Sequence, residues 1–340
     1  MNGETMLAEM HEQPAVIARL VARSGELCRQ VLARVPDGLA GTTFVARGSS
    51  DNAAVLGRYL VELASRRPAA LAAPSLVTRY AASVDYRGWL GIALSQSGAT
   101  PEVVSVTAAM RDGGAATIGI SNEPVCALGD VVDLLVCCEA GPELAVPATK
   151  TVTAQMTVVA LLAAAIGPVP YGGSDLESLY LAVAAVLDDA APVQRLVERW
   201  AGADRLFVVG RGLLYAAALE VALKVKETTG MLAEGLSGAD FLHGPVAAVG
   251  PGTPVLLIDG GGPTSADIAE VARVVAARDA DVVVVSPDAD AEISLLSTIP
   301  EPLQVVVASV RGQQLARALA GARGMDPDRP IGLSKVTATF

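Results

Sequence analysis

The sequence contains little histidine, cysteine, aromatic residue or positive charge. Only two histidines, four cysteines and 4% aromatic residues occur among 340 residues, and the formal net charge is −11. A chain this acidic lacks the basic surface that binds nucleic acids or anionic membranes, so neither is expected as a partner. Because the cysteines show no metal-ligand spacing and histidines are few, no metal site is expected either.

Features of secreted and membrane proteins are also missing. The first residues include Glu4, Glu9 and Glu12 and lack the basic start and apolar run of a signal peptide. The least polar segment, 152–166, is short for a bilayer span and contains polar residues, so it is predicted to be a buried helix. Together with the few cysteines, these features predict a cytoplasmic protein.

The alternation of apolar and polar segments predicts the fold. With 52% apolar and 18% charged residues, a chain of this length can bury the cores of two domains. Short apolar runs alternate with helix-length segments, which predicts an α/β protein whose doubly wound parallel sheets carry helices on both faces. The predicted strands are 42–46, 89–94, 116–120, 131–137, 206–209, 254–258, 281–285 and 303–307. The predicted helices include 1–34, 53–64, 152–166 and 176–201.

An internal repeat relates the two halves of the chain. A shift of 164 residues places Val45-Ala46-Arg47-Gly48 on Val209-Gly210-Arg211-Gly212 and Thr100 on Thr264. Because one offset serves separate loops, we expect a duplicated α/β domain. The predicted divisions are 1–34 as an N-terminal helical segment, 35–166 as the first domain, 167–201 as a linker and helix, 202–325 as the second domain and 326–340 as a C-terminal tail or lid.

A loop rich in hydroxyl groups is the best candidate for a binding site. Ser95-Gln96-Ser97-Gly98-Ala99-Thr100 follows a predicted strand and precedes a predicted helix start. Its hydroxyl groups and the N–H groups of that helix start could bind one phosphate, although an ordinary strand–helix loop with a serine N-cap fits the same pattern. At the repeat positions, Ser95-Gln96-Ser97 becomes Asp259-Gly260-Gly261 and Ser49-Ser50 becomes Leu213-Leu214. The sequence therefore predicts one phosphate site, in the first half.

Three further segments carry residues suited to acid–base chemistry. Lys224 and Glu227 share one face of a predicted helix that apolar neighbours indicate is partly buried. They form either a solvated ion pair or a carboxylate base beside a lysine. His243 lies in a glycine-containing loop, either as a packed residue or as a group that titrates near neutral pH. Lys335 lies in the C-terminal tail, which is either frayed or a lid.

These motifs occur in the order found in one family. The chain resembles the sugar isomerase (SIS) domain proteins, in particular the isomerase half of glucosamine-6-phosphate synthase and the stand-alone SIS-type glucosamine-6-phosphate deaminases. The matching segments are Arg47-Gly48-Ser49-Ser50, Ser95-Gln96-Ser97-Gly98-Ala99-Thr100, residues 140–150, Ala222-Leu223-Lys224-Val225-Lys226-Glu227, Phe241-Leu242-His243-Gly244-Pro245 and Leu333-Ser334-Lys335-Val336-Thr337.

The resemblance implies two tandem SIS domains, each a doubly wound parallel sheet flanked by helices, and an obligate homodimer whose subunits share active sites. It implies no metal or organic cofactor. Glu227 would move a proton between C1 and C2 with Lys224 beside it, His243 from the neighbouring subunit would open the sugar ring, and Lys335 would close over the open-chain sugar. The residues implied to bind the phosphorylated amino sugar are Ser49, Ser50, Ser95, Gln96, Ser97, Thr100, Val146 and Ser334.

The implied function is an amino-sugar 6-phosphate enzyme, foremost a glucosamine-6-phosphate deaminase or isomerase. The synthase's glutaminase part is not in this sequence, so glutamine-dependent synthesis by this chain alone is not expected. The alternative is a lyase that eliminates the C3 hydroxyl of N-acetylglucosamine 6-phosphate, since Ala148 replaces a serine of the synthase and leaves room for an acetyl group. A third possibility is a non-catalytic phosphosugar sensor, which would not need Glu227, His243 and Lys335 together.

Overall fold

The computed structural model describes residues 3–296 and 299–335. They form two compact units. The first-sheet unit comprises residues 15–143 and 150–170, and the second-sheet unit comprises residues 3–14, 144–149 and 171–335. Each unit contains one five-stranded parallel sheet with helices around it, which confirms the predicted α/β class.

Five strands form the first sheet: β1 (Gly41–Val45), β2 (Ala69–Leu71), β3 (Trp89–Leu94), β4 (Ala116–Ser121) and β5 (Leu134–Cys137). Their order is β2-β1-β3-β4-β5 and every neighbouring pair is parallel, with Val45 opposite Ala93 and Leu94 opposite Ile120. The central strands are almost continuously apolar because helices cover both faces. After β1 the chain continues to β2, whereas after β3 it continues to β4 on the other side of the sheet. The crevice between β1 and β3 is therefore a topological switch point, and open α/β sheets bind ligands at such points.

The first seven helices surround or precede this sheet: α1 (Glu4–Ala22), α2 (Ser24–Leu32), α3 (Ser49–Ser65), α4 (Ser75–Thr78), α5 (Pro101–Asp112), α6 (Ala127–Asp130) and α7 (Lys150–Ile166). The segment 1–34, predicted to be helical, contains two helices, α1 and α2, which are separated at Arg23. The predicted buried helix is confirmed: α7 packs against α3, and every residue from Lys150 to Ala163 is buried. Within the described ranges, no helix is long and apolar enough to cross a membrane.

The second sheet repeats the strand order of the first. It consists of β6 (Arg205–Gly210), β7 (Leu232–Ser237), β8 (Pro254–Ile258), β9 (Asp281–Ser286) and β10 (Ile293–Ser294), in the order β10-β9-β8-β6-β7. Each strand position is therefore matched by one in the first sheet. The helices after the third strand, α5 and α12 (Ser265–Ala276), also begin 164 residues apart, in agreement with the repeat in the sequence.

The remaining helices belong to the second-sheet unit: α8 (Gly173–Asp188), α9 (Ala191–Trp200), α10 (Leu214–Thr229), α11 (Gly238–Leu242) and α13 (Glu301–Ala322), with a 3₁₀ turn at Pro245–Ala248. The strand predicted at 303–307 is wrong, because these residues lie inside α13. A short apolar run does not distinguish a strand from a helix that is buried on all sides. Nearly all of α13 from Pro302 to Ala320 is buried, and it packs against α8, α9 and α10.

Candidate active site

The β3–α5 loop, residues 95–100, is the segment predicted to bind a phosphate, here called the cradle, and it lies in the first-sheet unit. Ser95 is 3% exposed, and its hydroxyl lies 3.0 Å from the hydroxyl of Thr100. The Ser97 hydroxyl accepts the N–H of Ala99 at 3.2 Å, which holds the middle of the loop in a tight turn. The loop thus gathers three hydroxyl groups of the predicted set, two of them in direct contact.

The local sequence explains why this loop has one shape. Gly98 has φ +59°, and a Cβ added there would lie 2.6 Å from the Cβ of Cys126 and 2.9 Å from the hydroxyl of Ser121. Its N–H donates to the carbonyl of Ser95 at 3.1 Å, and its carbonyl accepts the N–H of Leu128 at 2.8 Å. Only glycine fits this conformation and spacing without strain.

The start of α5 supplies donors to the same loop. Thr100 is the N-cap residue, but its hydroxyl makes no capping hydrogen bond, and Pro101 occupies the first turn. The N–H groups of a helix's first turn have no partner within the helix, and the helix dipole adds positive potential there. The loop thus brings hydroxyl groups next to a helix N-terminus, the type of arrangement that binds oxyanions in proteins.

The neighbouring β1–α3 loop contributes Ser49 and Ser50 at the start of α3. Ser50 is 8% exposed, and Gly48, which directly precedes Ser49, has φ +60°. Because β1 and β3 are adjacent in the sheet, their loops leave the same edge, and an ion pair joins them: Arg47 Nη2 lies 2.6 Å from Glu102 Oε2. Thr78 also donates to the Glu102 carboxylate at 3.3 Å.

Glu102 is a site residue that the sequence analysis missed. Its position in the first turn of a helix directly after the hydroxyl-rich loop is the available signal, since carboxylates are favoured there. The ion pair leaves Arg47 43% exposed beside the cradle. Burial raises the pKa of nearby Asp51, and the charge of Arg47 opposes that rise.

The corresponding loop of the second sheet, residues 259–264, has the carboxylate of Asp259 at the position of Ser95 and contacts a second carboxylate, Glu301 of α13. Thr264, at the repeat position of Thr100, donates to Glu301 Oε1 at 3.2 Å, while Asp259 accepts the N–H of Gly261 at 2.9 Å and the hydroxyl of Ser265 at 2.7 Å. Burial and the charge of Asp259 raise the pKa of Glu301. Since negative side chains would repel a phosphate, this arrangement favours one phosphate cradle per chain.

Lys224 and Glu227 form an ion pair on α10, in the second-sheet unit. The Lys224 side chain is 1% exposed, whereas the Glu227 side chain is 23% exposed. One turn earlier, fully buried Glu220 lies with Oε1 3.6 Å from Lys224 Nζ. The pair is therefore not a solvated surface pair: a buried lysine fixes a carboxylate that still reaches solvent. Glu220 was missed, although its spacing of four residues from Lys224 was a readable signal.

The structure places the remaining predicted residues in the second-sheet unit. His243 ends α11 and is exposed. Lys335 is half-buried, and its Nζ donates to the carbonyl of Ala145 at 2.8 Å, directly before Val146. Ser334 is exposed next to Lys335. The end of the predicted lid, residues 336–340, lies outside the described residues. No group of three or more metal-binding side chains occurs in the described part of the chain.

Comparison with known proteins identifies relatives of this arrangement. A family model described as the SIS domain matches residues 42–165 and 201–317, which contain the two sheets. The isomerizing glutamine–fructose-6-phosphate aminotransferase of Thermococcus kodakarensis is 32% identical over 348 residues, covering 97% of this chain and 57% of that protein. The chain therefore spans little more than half the length of that relative.

Solved structures show the same architecture. A Silicibacter pomeroyi protein, provisionally assigned as a phosphosugar isomerase, is 30% identical with a TM-score of 0.84, over 96% of this chain and 100% of that one. The glucosamine-6-phosphate deaminase of Thermotoga maritima is 21% identical with a TM-score of 0.80, over 99% of this chain and 100% of that one, which shows the shared fold.

Proposed function

This chain belongs to the SIS domain family, and we propose that it is an amino-sugar 6-phosphate deaminase or isomerase that acts by removing the C2 proton. The observation that carries the proposal is the Lys224–Glu227 pair, in which a buried ammonium contacts a partly exposed carboxylate. A sensor would need the phosphate cradle but would gain nothing from this buried pair. The enzyme is therefore preferred over a non-catalytic binding protein.

In this proposal the cradle binds the 6-phosphate. The hydroxyl groups of Ser49, Ser50, Ser95, Ser97 and Thr100, the amide of Gln96 and the first-turn N–H groups of α5 supply donors for its oxygens. None of these groups is an acid or a base near neutral pH, so they hold the substrate without taking part in proton transfer. Val146 and Ser334 are proposed to contact the sugar.

Glu227 is the proposed base. The adjacent Lys224 ammonium contacts the carboxylate, and the partial exposure of Glu227 leaves an oxygen able to meet substrate. The proton taken from C2 of the open-chain amino sugar is returned at C1. In a 2-amino sugar this shift produces a ketimine, and its hydrolysis releases ammonia and the ketose phosphate.

His243 and Lys335 are proposed to act on the sugar before and during that shift. His243 is exposed on its own chain, so it is available to a site on a second subunit, and we propose a homodimer with shared active sites. An imidazole suits proton transfer to a ring oxygen near neutral pH. Lys335 carries an ammonium that would meet the open-chain sugar.

We propose elimination of the C3 hydroxyl as the second candidate, because the resemblance places Ala148 where the synthase has a serine, and the smaller side chain would leave more room for an acetyl group. With an acetylated nitrogen the ketimine cannot form. The electron pair left at C2 then forms a C2–C3 double bond, and the C3 hydroxyl takes up the proton held by Glu227 and leaves as water. The two candidates share the cradle and Glu227, and they differ in the substrate's nitrogen.

One experiment separates these functions. The protein is incubated with glucosamine 6-phosphate, with fructose 6-phosphate plus ammonia, and with N-acetylglucosamine 6-phosphate, and the products are identified by mass spectrometry. Ammonia from the first substrate supports deamination, and loss of water from the third supports elimination. Binding of all three without turnover would overturn the enzyme assignment.

The same assay tests Glu227. The Glu227→Gln variant should fold normally, since the side chain reaches solvent, and should lose about 100-fold or more in kcat, the usual contribution of a general base. Exposed Glu198→Gln on α9, in the same unit, serves as the control. Full activity of Glu227→Gln would remove Glu227 from the proposed mechanism.

A further inference from the structure

The loop that contains Val146 is held by hydrogen bonds from several directions. Its carbonyl at Ala145 accepts Lys335 Nζ at 2.8 Å. Its three consecutive N–H groups, those of Leu144, Ala145 and Val146, are all bound to groups elsewhere in the second-sheet unit. The loop therefore cannot shift without breaking contacts to other segments of this unit, and Lys335 depends on its position.

Glu9 of α1 binds two of these N–H groups. Its side chain is 3% exposed, and its carboxylate accepts the N–H of Leu144 and, at 3.3 Å, that of Ala145. Hydrogen bonds to an ionised acceptor are stronger than neutral ones, and a buried carboxylate that loses its donors is costly. Glu9 therefore fastens the loop to α1.

Asp328 binds both the loop and α1. Its carbonyl accepts the N–H of Val146 at 3.0 Å, while its carboxylate accepts the N–H groups of Thr5 at 3.1 Å and Met6 at 2.7 Å. These are first-turn N–H groups of α1, which have no partner within the helix and favour a negative charge. The tail is thus anchored seven residues before Lys335, and the anchor is charged.

The anchored loop is connected to the helix that bears Lys224 and Glu227. Gln13 of α1 donates to Gln313 of α13 at 2.9 Å, and both side chains are fully buried. Gln313 donates in turn to the carbonyl of Thr149 at 3.3 Å. From α10, Thr228 donates to the carbonyl of Ala316 in α13 at 3.1 Å. Helix α13 is therefore hydrogen-bonded both to the neighbour of Glu227 and to the loop that Lys335 contacts.

We propose that Glu9 and Asp328 are positioning residues, which set the places of Val146 and the Lys335 ammonium in the second-sheet unit. The catalytic consequence rests on the proposed function, whereas the placement of Lys335 does not. A displacement of about 1 Å in a catalytic group can cost about 100-fold in rate. Two carboxylates far from each other in the sequence would then control one lysine.

The chain offers a direct probe of that placement, because it contains only four lysines. Lys150 and Lys224 are buried, Lys226 is exposed and Lys335 is half-buried. Brief acetylation followed by mass spectrometry reports the reactivity of Lys335 relative to Lys226 within each molecule. In Glu9→Gln and Asp328→Asn we expect Lys335 to react about tenfold faster, the effect of losing one charge-assisted hydrogen bond. Glu198→Gln, an exposed substitution on α9 in the same unit, should match the wild type.

Kinetics on the same variants test the catalytic consequence. We expect kcat to fall about tenfold or more, while the dissociation constant for inorganic phosphate, which reports the cradle of the first-sheet unit, stays unchanged. General unfolding would weaken phosphate binding as well. Asp328→Asn keeps the backbone hydrogen bond from Val146 to residue 328, so the test can be made on this variant if Glu9→Gln does not fold.

Wild-type reactivity of Lys335 in both variants would overturn the proposal. Faster acetylation with unchanged kcat would also overturn it, since the displaced lysine would then have no effect on the reaction. If the wild type turns over none of the phosphosugars, the proposed function fails, and the acetylation comparison still decides whether Glu9 and Asp328 place Lys335.

Discussion

Replacing Gly98 by alanine tests the phosphate cradle. Gly98 has φ +59°, where an L-residue costs roughly 1–2 kcal/mol relative to glycine. The new Cβ would also lie 2.6 Å from the Cβ of Cys126 and 2.9 Å from the Ser121 hydroxyl, and such overpacking costs about 1–3 kcal/mol. We therefore expect Gly98→Ala to lower the free energy of unfolding by about 2–5 kcal/mol, measured by urea denaturation.

The same substitution should weaken phosphate binding. The left-handed turn at Gly98 lies between Ser95, Ser97 and Thr100, so a substitution that strains it should displace these hydroxyl groups relative to one another. Loss of one hydrogen bond to a charged ligand costs about 1.5–3 kcal/mol, so affinity for inorganic phosphate should fall about tenfold or more by calorimetry.

The second sheet provides a matched control. Gly261 has φ +69°, and an added Cβ there would lie 2.7 Å from Pro287, so Gly261→Ala carries the same two costs in a loop that lacks the hydroxyl groups of Ser95 and Ser97. It should lose similar stability and keep full phosphate affinity. Wild-type affinity in Gly98→Ala, or an equal loss of affinity in Gly261→Ala, would refute the assignment of the cradle. Wild-type stability in Gly98→Ala would refute the turn geometry.

Two further predictions concern buried charges. Lys224→Met should lower the free energy of unfolding by about 3–5 kcal/mol, because Glu220 and Glu227 would lose the cation between them. Exposed Lys226→Met on the same helix should change it by less than about 0.5 kcal/mol, and similar losses in both would contradict the buried pair. The raised pKa of Glu301 means that the folded state holds this proton to higher pH than the unfolded chain does. The protonated Glu301 carboxyl therefore contributes fully to stability below the ordinary glutamate pKa of about 4.3. This contribution is lost as the pH rises through the pKa of Glu301 in the folded protein. Relative to the wild type, Glu301→Gln should gain stability over that range in urea titrations at successive pH values, and a difference independent of pH would contradict the raised pKa.

The strands that a short, local hydrophobic pattern marks were predicted correctly from the sequence. Strands such as β3 and β8 are short apolar runs between helix-length segments, and the 164-residue offset relates their loops. The strand β7 was missed because it contains Glu234 and Gly235, residues that are uncommon in strands. Its place is set by pairing with β6 along its whole length, which no local pattern records.

The candidate site residues also divide into those that a local sequence pattern predicts and those that only the tertiary structure reveals. The hydroxyl groups of the cradle are close together in the sequence, and so are Lys224 and Glu227. Spacing alone therefore identified each of these two sets as candidates. Glu9 and Asp328 act on backbone groups 135 and 323 residues away, and nothing around either residue indicates a partner. Long-range hydrogen bonds to the backbone depend on the tertiary fold, and a single sequence does not reveal them.

The division of the candidate residues between two units gives mutational data a simple interpretation. The cradle belongs to the first-sheet unit, while Glu227, His243, Val146 and Lys335 belong to the second-sheet unit. Inorganic phosphate can report only on the cradle, because it has no carbon from which a proton is taken. A cradle variant should therefore lose affinity for phosphate and for the sugar phosphate by the same factor. A variant of Glu227, Glu9 or Asp328 should retain phosphate affinity while kcat falls. If both kinds of variant changed phosphate affinity and kcat by equal factors, phosphate binding and proton transfer would depend on the same residues. Separate roles could then not be assigned to the two units.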